Sequence, residues 1–126
     1  MSLTESQREE IKNKVIEVLK GVYDPEIAVN IYDLGLIYEI NVSEEGDVYI
    51  KMTLTAPGCP IAGMIVAMAE ENVKEKVKEA KSVRVDLVWD PPWTPEKVTP
   101  EGRKMLTQIF GYDIVEEWLK QQRSQT

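Results

Sequence analysis

The sequence predicts an α+β domain: a small three-stranded mixed sheet, made of a hairpin plus one parallel strand, with helices packed on one face. Three observations predict it. Val48, Ile50, Met52 and Leu54 alternate with Tyr49, Lys51, Thr53 and Thr55, the period of a half-buried strand. Ile61, Ile65, Met68, Val73 and Val77 then recur at helical spacing. A second alternation follows, Val83, Val85, Leu87 and Trp89 against Arg84, Asp86 and Val88. The helix between these two strands permits a right-handed crossover, which makes them parallel.

The elements follow in order. Thr4 and Gln7 form a capping box ahead of Ile11, Val15, Val18, Leu19 and Val22, so a first helix is expected from about Glu5 to Lys20, stopping near Gly21. A loop carrying Asp24-Pro25-Glu26 and a tight turn at Ile31-Tyr32-Asp33-Leu34-Gly35 lead into a strand with Leu36, Tyr38, Ile40 and Val42 on one face. Glu44-Glu45-Gly46-Asp47 reverses the direction into the strand ending at Thr55. The second helix is expected from about Ile61 to Lys81, its later half a solvated Glu/Lys face in which Glu70 and Lys74 can pair. After the third strand the prolines of Asp90-Pro91-Pro92-Trp93-Thr94-Pro95 interrupt regular structure. Thr99-Pro100-Glu101 opens a helix with Met105, Leu106, Ile109 and Phe110. A terminal helix over 113–121 carries Ile114, Val115, Trp118 and Leu119, with fraying from Gln121 onward.

The 126 residues make one domain, 1–126, long enough to bury roughly two thirds of the unfolded surface. No apolar run approaches the roughly 20 residues that span a bilayer, and Met1-Ser2-Leu3-Thr4-Glu5 has neither the basic start nor the apolar stretch of a secretory signal. A single cysteine cannot form an internal disulfide, which agrees with a reducing, cytoplasmic setting. With 15 basic against 22 acidic residues the net charge is −7, so neither nucleic acid nor an anionic membrane is an expected partner. The sequence has no histidine. That excludes a Ser-His-Asp triad, a Cys-His pair, histidine-containing zinc sites and the two-histidine iron triad. One cysteine cannot supply a four-thiolate zinc site either, so no catalytic residue is assigned.

The available chemistry centres on Cys59, between a strand and a helix in Thr55-Ala56-Pro57-Gly58-Cys59-Pro60. Pro60 suits the first helical position, which makes Cys59 the N-cap at the positive end of the helix dipole, where a thiol pKa falls and the thiolate is favoured. The alternative is a small buried hydrophobe in a tight turn. Asp24, Glu26 and Asp33 are either turn formers bonding nearby backbone N–H groups or acids that hold a hard metal or move a proton. Thr53 and Thr55 line a site beside Cys59 or serve only as strand formers. Trp89 is expected to face the core. Trp93, set among prolines, anchors a partner or packs under its own loop.

Together these segments resemble a known family. Val22-Tyr23-Asp24-Pro25-Glu26-Ile27 with Val29-Asn30-Ile31-Tyr32-Asp33-Leu34-Gly35-Leu36-Ile37-Tyr38 resembles its DPE(I/L)PVNIxDLGLVY signature, with Ala28 where proline is usual. Met52-Thr53-Leu54-Thr55-Ala56-Pro57-Gly58-Cys59-Pro60 is similar to its second motif, and Val88-Trp89-Asp90-Pro91-Pro92-Trp93 to its third. The sequence thus looks like a metal–sulfur cluster assembly factor of the SufT- and PaaD-like kind, related to the eukaryotic cytosolic iron–sulfur targeting factor. The resemblance covers a core of about 10–112. It implies an accessory role in iron–sulfur cluster assembly or delivery to apoproteins, with carrier or scaffold proteins and client apoproteins as partners. Cys59 becomes the functional thiol, a transient metal ligand, with Asp24, Glu26, Asp33, Thr53 and Thr55 around it. Clusters generally take four thiolates and one copy supplies one, so a transient iron–sulfur cluster would be shared and no stable cofactor is expected in the monomer. A homodimer would put two Cys59 thiols in one assembly if both face the interface. Two rival readings stay open: a cysteine-dependent enzyme with Cys59 as nucleophile, and a pure adaptor for a multicomponent oxygenase.

Overall fold

The first helix, α1 (Glu5–Leu19), begins where the capping box places it. The Thr4 hydroxyl accepts from the Gln7 N–H at 3.1 Å, and the Gln7 side chain accepts from the Thr4 N–H at 2.9 Å. Both satisfy donors that the first turn would otherwise leave unpaired. Ile11, Val15, Leu19 and Val22 are buried. The computed structural model describes residues 2–23, 29–54 and 62–124.

Strands β1 (Ile37–Val42) and β2 (Asp47–Met52) form the expected antiparallel hairpin, with Ile40 opposite Ile50 and Val42 opposite Val48. The alternation is broken once. A bulge between Ile37 and Glu39 sets Ile37 opposite Met52, and Ile37 rather than Tyr38 packs against the core. An inserted residue shifts the two-residue period by one, so the placement of Tyr38 with Ile40 and Val42 is corrected.

Helix α2 (Ala62–Lys76) is shorter than the periodicity suggests, and Ile61 lies outside the described residues. Its buried stripe is Ile65, Ala69, Val73 and, just past its end, Val77. Met68 sits one residue, about 100°, off that stripe and is exposed. Strand β3 (Ser82–Leu87) pairs parallel to β2 with Val83, Val85 and Leu87 opposite Val48, Ile50 and Met52, giving the order β1-β2-β3. Trp89 does not continue the strand and is 42% exposed, which corrects its core-facing assignment. The alternation stops at Leu87 because Asp90-Pro91-Pro92 turns the backbone away, with the Asp90–Pro91 peptide in the cis form.

Helix α1 packs on β1 and on α2, which itself covers β3, so both lie on the same face of the sheet. Beyond a short 3-10 turn at Pro95–Lys97 come α3 (Pro100–Phe110) and α4 (Ile114–Ser124), the latter extending past Gln121, where the sequence predicts fraying. Leu106, Ile114 and Val115 complete one continuous core. No described helix is long and apolar enough to cross a membrane.

Candidate functional site

Because β2 runs antiparallel to β1 and parallel to β3, three connections meet at one end of the sheet. They are the turn entering β1, the segment leaving β2 towards α2, and the loop leaving β3. The Thr53 N–H donates to Leu36 O at 2.8 Å, and the Val88 N–H donates to Met52 O at 2.8 Å, which ties all three strand ends together. The described parts of the segments singled out in the sequence, the turn at 31–35, Thr53 and the loop at 90–95, feed this end.

The turn at 30–35 is built around Asn30 and Asp33, 2% and 4% exposed. Asn30 Oδ1 accepts from the Asp33 N–H at 2.8 Å, and Asn30 Nδ2 donates to Asp33 Oδ2 at 2.7 Å. The other carboxylate oxygen, Oδ1, accepts from the Thr99 hydroxyl at 2.6 Å. That hydroxyl also accepts from the Gly102 N–H at 3.0 Å, capping α3. The Thr99 N–H donates to Asp33 O at 2.9 Å. The approach is so close that a Cβ on Gly102 would lie 2.5 Å from Asp33 O. Gly35 has φ of 80°, and a Cβ there would lie 2.1 Å from Lys97 O. Asp33 therefore spends its carboxylate locking the turn to the start of α3 through the side chains of Asn30 and Thr99 rather than through nearby backbone N–H groups; within the turn it is Asn30 that bonds a backbone N–H.

The loop after β3 folds back over this turn. The Trp93 indole N–H donates to Leu34 O at 2.6 Å, and its ring meets Trp118 edge-to-face at 6.4 Å. Trp93 is half-buried against the core, whereas Trp89 is the more exposed. The Tyr38 hydroxyl donates to Pro91 O at 2.7 Å, and Lys97 Nζ stands 4.9 Å from the centre of its ring. Burial pushes the Tyr38 phenol above its usual pKa, the nearby Thr53 hydroxyl opposes this, and the Asp90 charge adds to it. The phenol thus keeps its proton for Pro91. Thr53 is fully enclosed, and its Oγ1 reaches no partner with hydrogen-bonding geometry among the described residues. A cleft of about 550 Å³ opens beside these groups, lined among others by Tyr32, Tyr38, Lys51, Asp90, Lys97 and Thr99. Sequence reasoning misses it, because its walls come from separate stretches of the sequence and no local pattern marks them. Asp24, Glu26, Thr55 and Cys59 lie outside the described residues. Of the candidate residues, Asp33, Thr53 and Trp93 are those the structure places at this end.

A family model described as iron–sulfur cluster assembly protein matches residues 12–87. The chain belongs to this family. An iron–sulfur protein maturation auxiliary factor of Porphyromonas gingivalis is 46% identical over 88 residues, covering 70% of this chain and 83% of the relative. One from Bacillus subtilis is 40% identical, covering 72% and 88%. A crystal structure of a domain of unknown function from Bacillus anthracis superposes with a TM-score of 0.76 at 35% identity, over 82% of this chain and 97% of that one. This chain, with its three-stranded mixed sheet, therefore shares the fold of that solved domain. The match ends at Leu87, so the loop that pins itself to Leu34 lies beyond it.

Proposed function

We propose that this protein is a non-catalytic accessory factor that helps mature iron–sulfur proteins, with Cys59 as a labile cluster ligand or contact thiol. One observation carries the reading: relatives 46% and 40% identical, aligned over most of their length and of this one, are iron–sulfur protein maturation auxiliary factors. The cluster is cargo in this scheme. A single thiol leaves three of its usual four ligand positions to a carrier, a client or small thiols, so ligation is brief and shared. Such a thiol must stay reduced, which fits the cytoplasm. The topology supports the reading further. β2 ends where the Asp33 turn and the Trp93 loop are locked together, so the connection from β2 to α2, in which Cys59 falls by sequence, starts from a rigid base. The loop around Trp93 and the acidic segment of Asp24 and Glu26 contact the carrier or client.

In cells lacking their own copy, Cys59→Ser is expected to abolish the gain in client iron–sulfur enzyme activity that the wild-type protein restores. Unchanged maturation would overturn the role of the thiol. Anaerobic reconstitution with iron and sulfide, wild type beside Cys59→Ala, separates the two forms of that role. A Cys59-dependent visible spectrum marks a ligand, and its absence from a protein that still needs Cys59 in cells marks a contact thiol.

A further inference from the structure

The two edges of the sheet are not equally protected. The β1 edge is interrupted by its bulge. The β3 edge is not: Ser82–Leu87 runs in unbroken register with β2, without bulge or proline. Protected edges usually have one of these interruptions. The Val88 N–H donates to Met52 O, and in a parallel ladder the bonded residues alternate. Ser82, Arg84 and Asp86 therefore direct their backbone groups to β2, while Val83, Val85 and Leu87 direct theirs outward. No hydrogen bond from the described residues meets those outward groups.

We propose that this edge pairs with the same edge of a second copy, antiparallel and centred on Val85. Antiparallel strands exchange hydrogen bonds only where outward-pointing residues face each other. Centring on Val85 sets Val85 against its own counterpart and Val83 against Leu87 of the second copy, so all three outward residues are used. Centring on Val83 or Leu87 uses fewer. In the same register Arg84 faces Asp86 of the second copy, and Asp86 faces its Arg84. These are non-hydrogen-bonded pairs, where side chains stand closest. The strand is thus self-complementary in charge about its own midpoint, as a two-fold axis requires. Arg84 Nε already lies 3.1 Å from Asp86 Oδ1 within the strand, yet the Arg84 side chain remains 75% exposed and its other nitrogens are free to reach across.

The net charge of −7 opposes self-association. At physiological salt, charge is screened over about 8 Å, so the nearest groups decide, and here they are complementary. The result is a six-stranded sheet. With about 3.3 Å per residue and about 4.8 Å between strands, the two β2 strands, from which the segments carrying Cys59 continue, end at opposite ends of it, roughly 20 Å apart. Each copy then offers its thiol to a separate partner. This pairing does not rest on the role proposed for Cys59.

Sedimentation equilibrium of the 126-residue protein, from micromolar to near-millimolar, is expected to show a monomer–dimer equilibrium. Arg84→Asp alone and Asp86→Arg alone should each raise the dissociation constant about tenfold or more, with unchanged circular dichroism. Mixing the two variants in equal amounts should restore dimers, because every charge then meets its opposite across the edge. A wild-type protein that stays monomeric throughout overturns the proposal. So does a dimer indifferent to both single substitutions, or one not rescued by mixing.

Discussion

Asp33 shows how a residue suited to chemistry can be occupied by architecture. Its two carboxylate oxygens and its backbone carbonyl and amide all have partners, in Asn30 and Thr99. Asp33→Ala is expected to cost about 2–3 kcal/mol, since it removes hydrogen bonds to a carboxylate and strands the buried Asn30 amide. Gly102→Ala should cost a similar amount, about 2–3 kcal/mol, because the obstacle is the Asp33 carbonyl and not a flexible side chain. Denaturant melts of the two variants check both, and a loss well under 1 kcal/mol in either would contradict the locked turn. The sequence shows that Asp33 precedes a glycine turn, but not that Thr99, 66 residues later, donates to it. Pairings at that separation leave no periodic trace. Trp93 is similar: its proline-rich setting is visible, its hydrogen bond to Leu34 is not.

At the scale of elements, legibility tracks regular spacing. The capping box fixes the start of α1, and the alternation fixes β2 and β3, because propensity, capping and burial agree there. The bulge in β1 and the early end of α2 are invisible, since each is set by what the neighbouring strand or turn requires. The joint between α3 and α4 makes a prediction of its own. Arg103 holds Asp113 through Nε at 3.1 Å and a terminal nitrogen at 2.7 Å, and Asp113 Oδ1 accepts from the Glu116 N–H. The Arg103 hydrogen bonds, outweighing a desolvation effect that acts against them, hold the Asp113 carboxyl below its usual 3.8. A carboxyl lowered by folding adds stability that is complete above its ordinary value and is lost as pH falls through the lowered one. Thermal stability should therefore fall as acid is added below about pH 4, and Asp113→Asn, which keeps the cap but not the charge, should flatten that part of the profile. An identical acid limb in the variant would assign the loss to other groups.

Across the whole molecule, a single core runs from Ile11 in α1 to Val115 in α4. Unfolding should be one cooperative event, with the fluorescence of Trp93 and Trp118 and the far-ultraviolet circular dichroism passing through coincident midpoints; separated midpoints would mean that α3 and α4 melt alone. The fold class and its place in the iron–sulfur assembly family are legible because three short motifs fall in order along the sequence. That they converge at one end follows from strand direction, which the crossover rule supplies for β2 and β3. The same directions leave the opposite end of the sheet to the Ser43–Asp47 hairpin turn, where Glu45 is exposed. That pole is the natural place for additions: a dye, an affinity handle or an inserted peptide at Glu45 would ride on the molecule's blunt end, one sheet length from the strand ends that carry its motifs, and natural variation in loop length should collect there too.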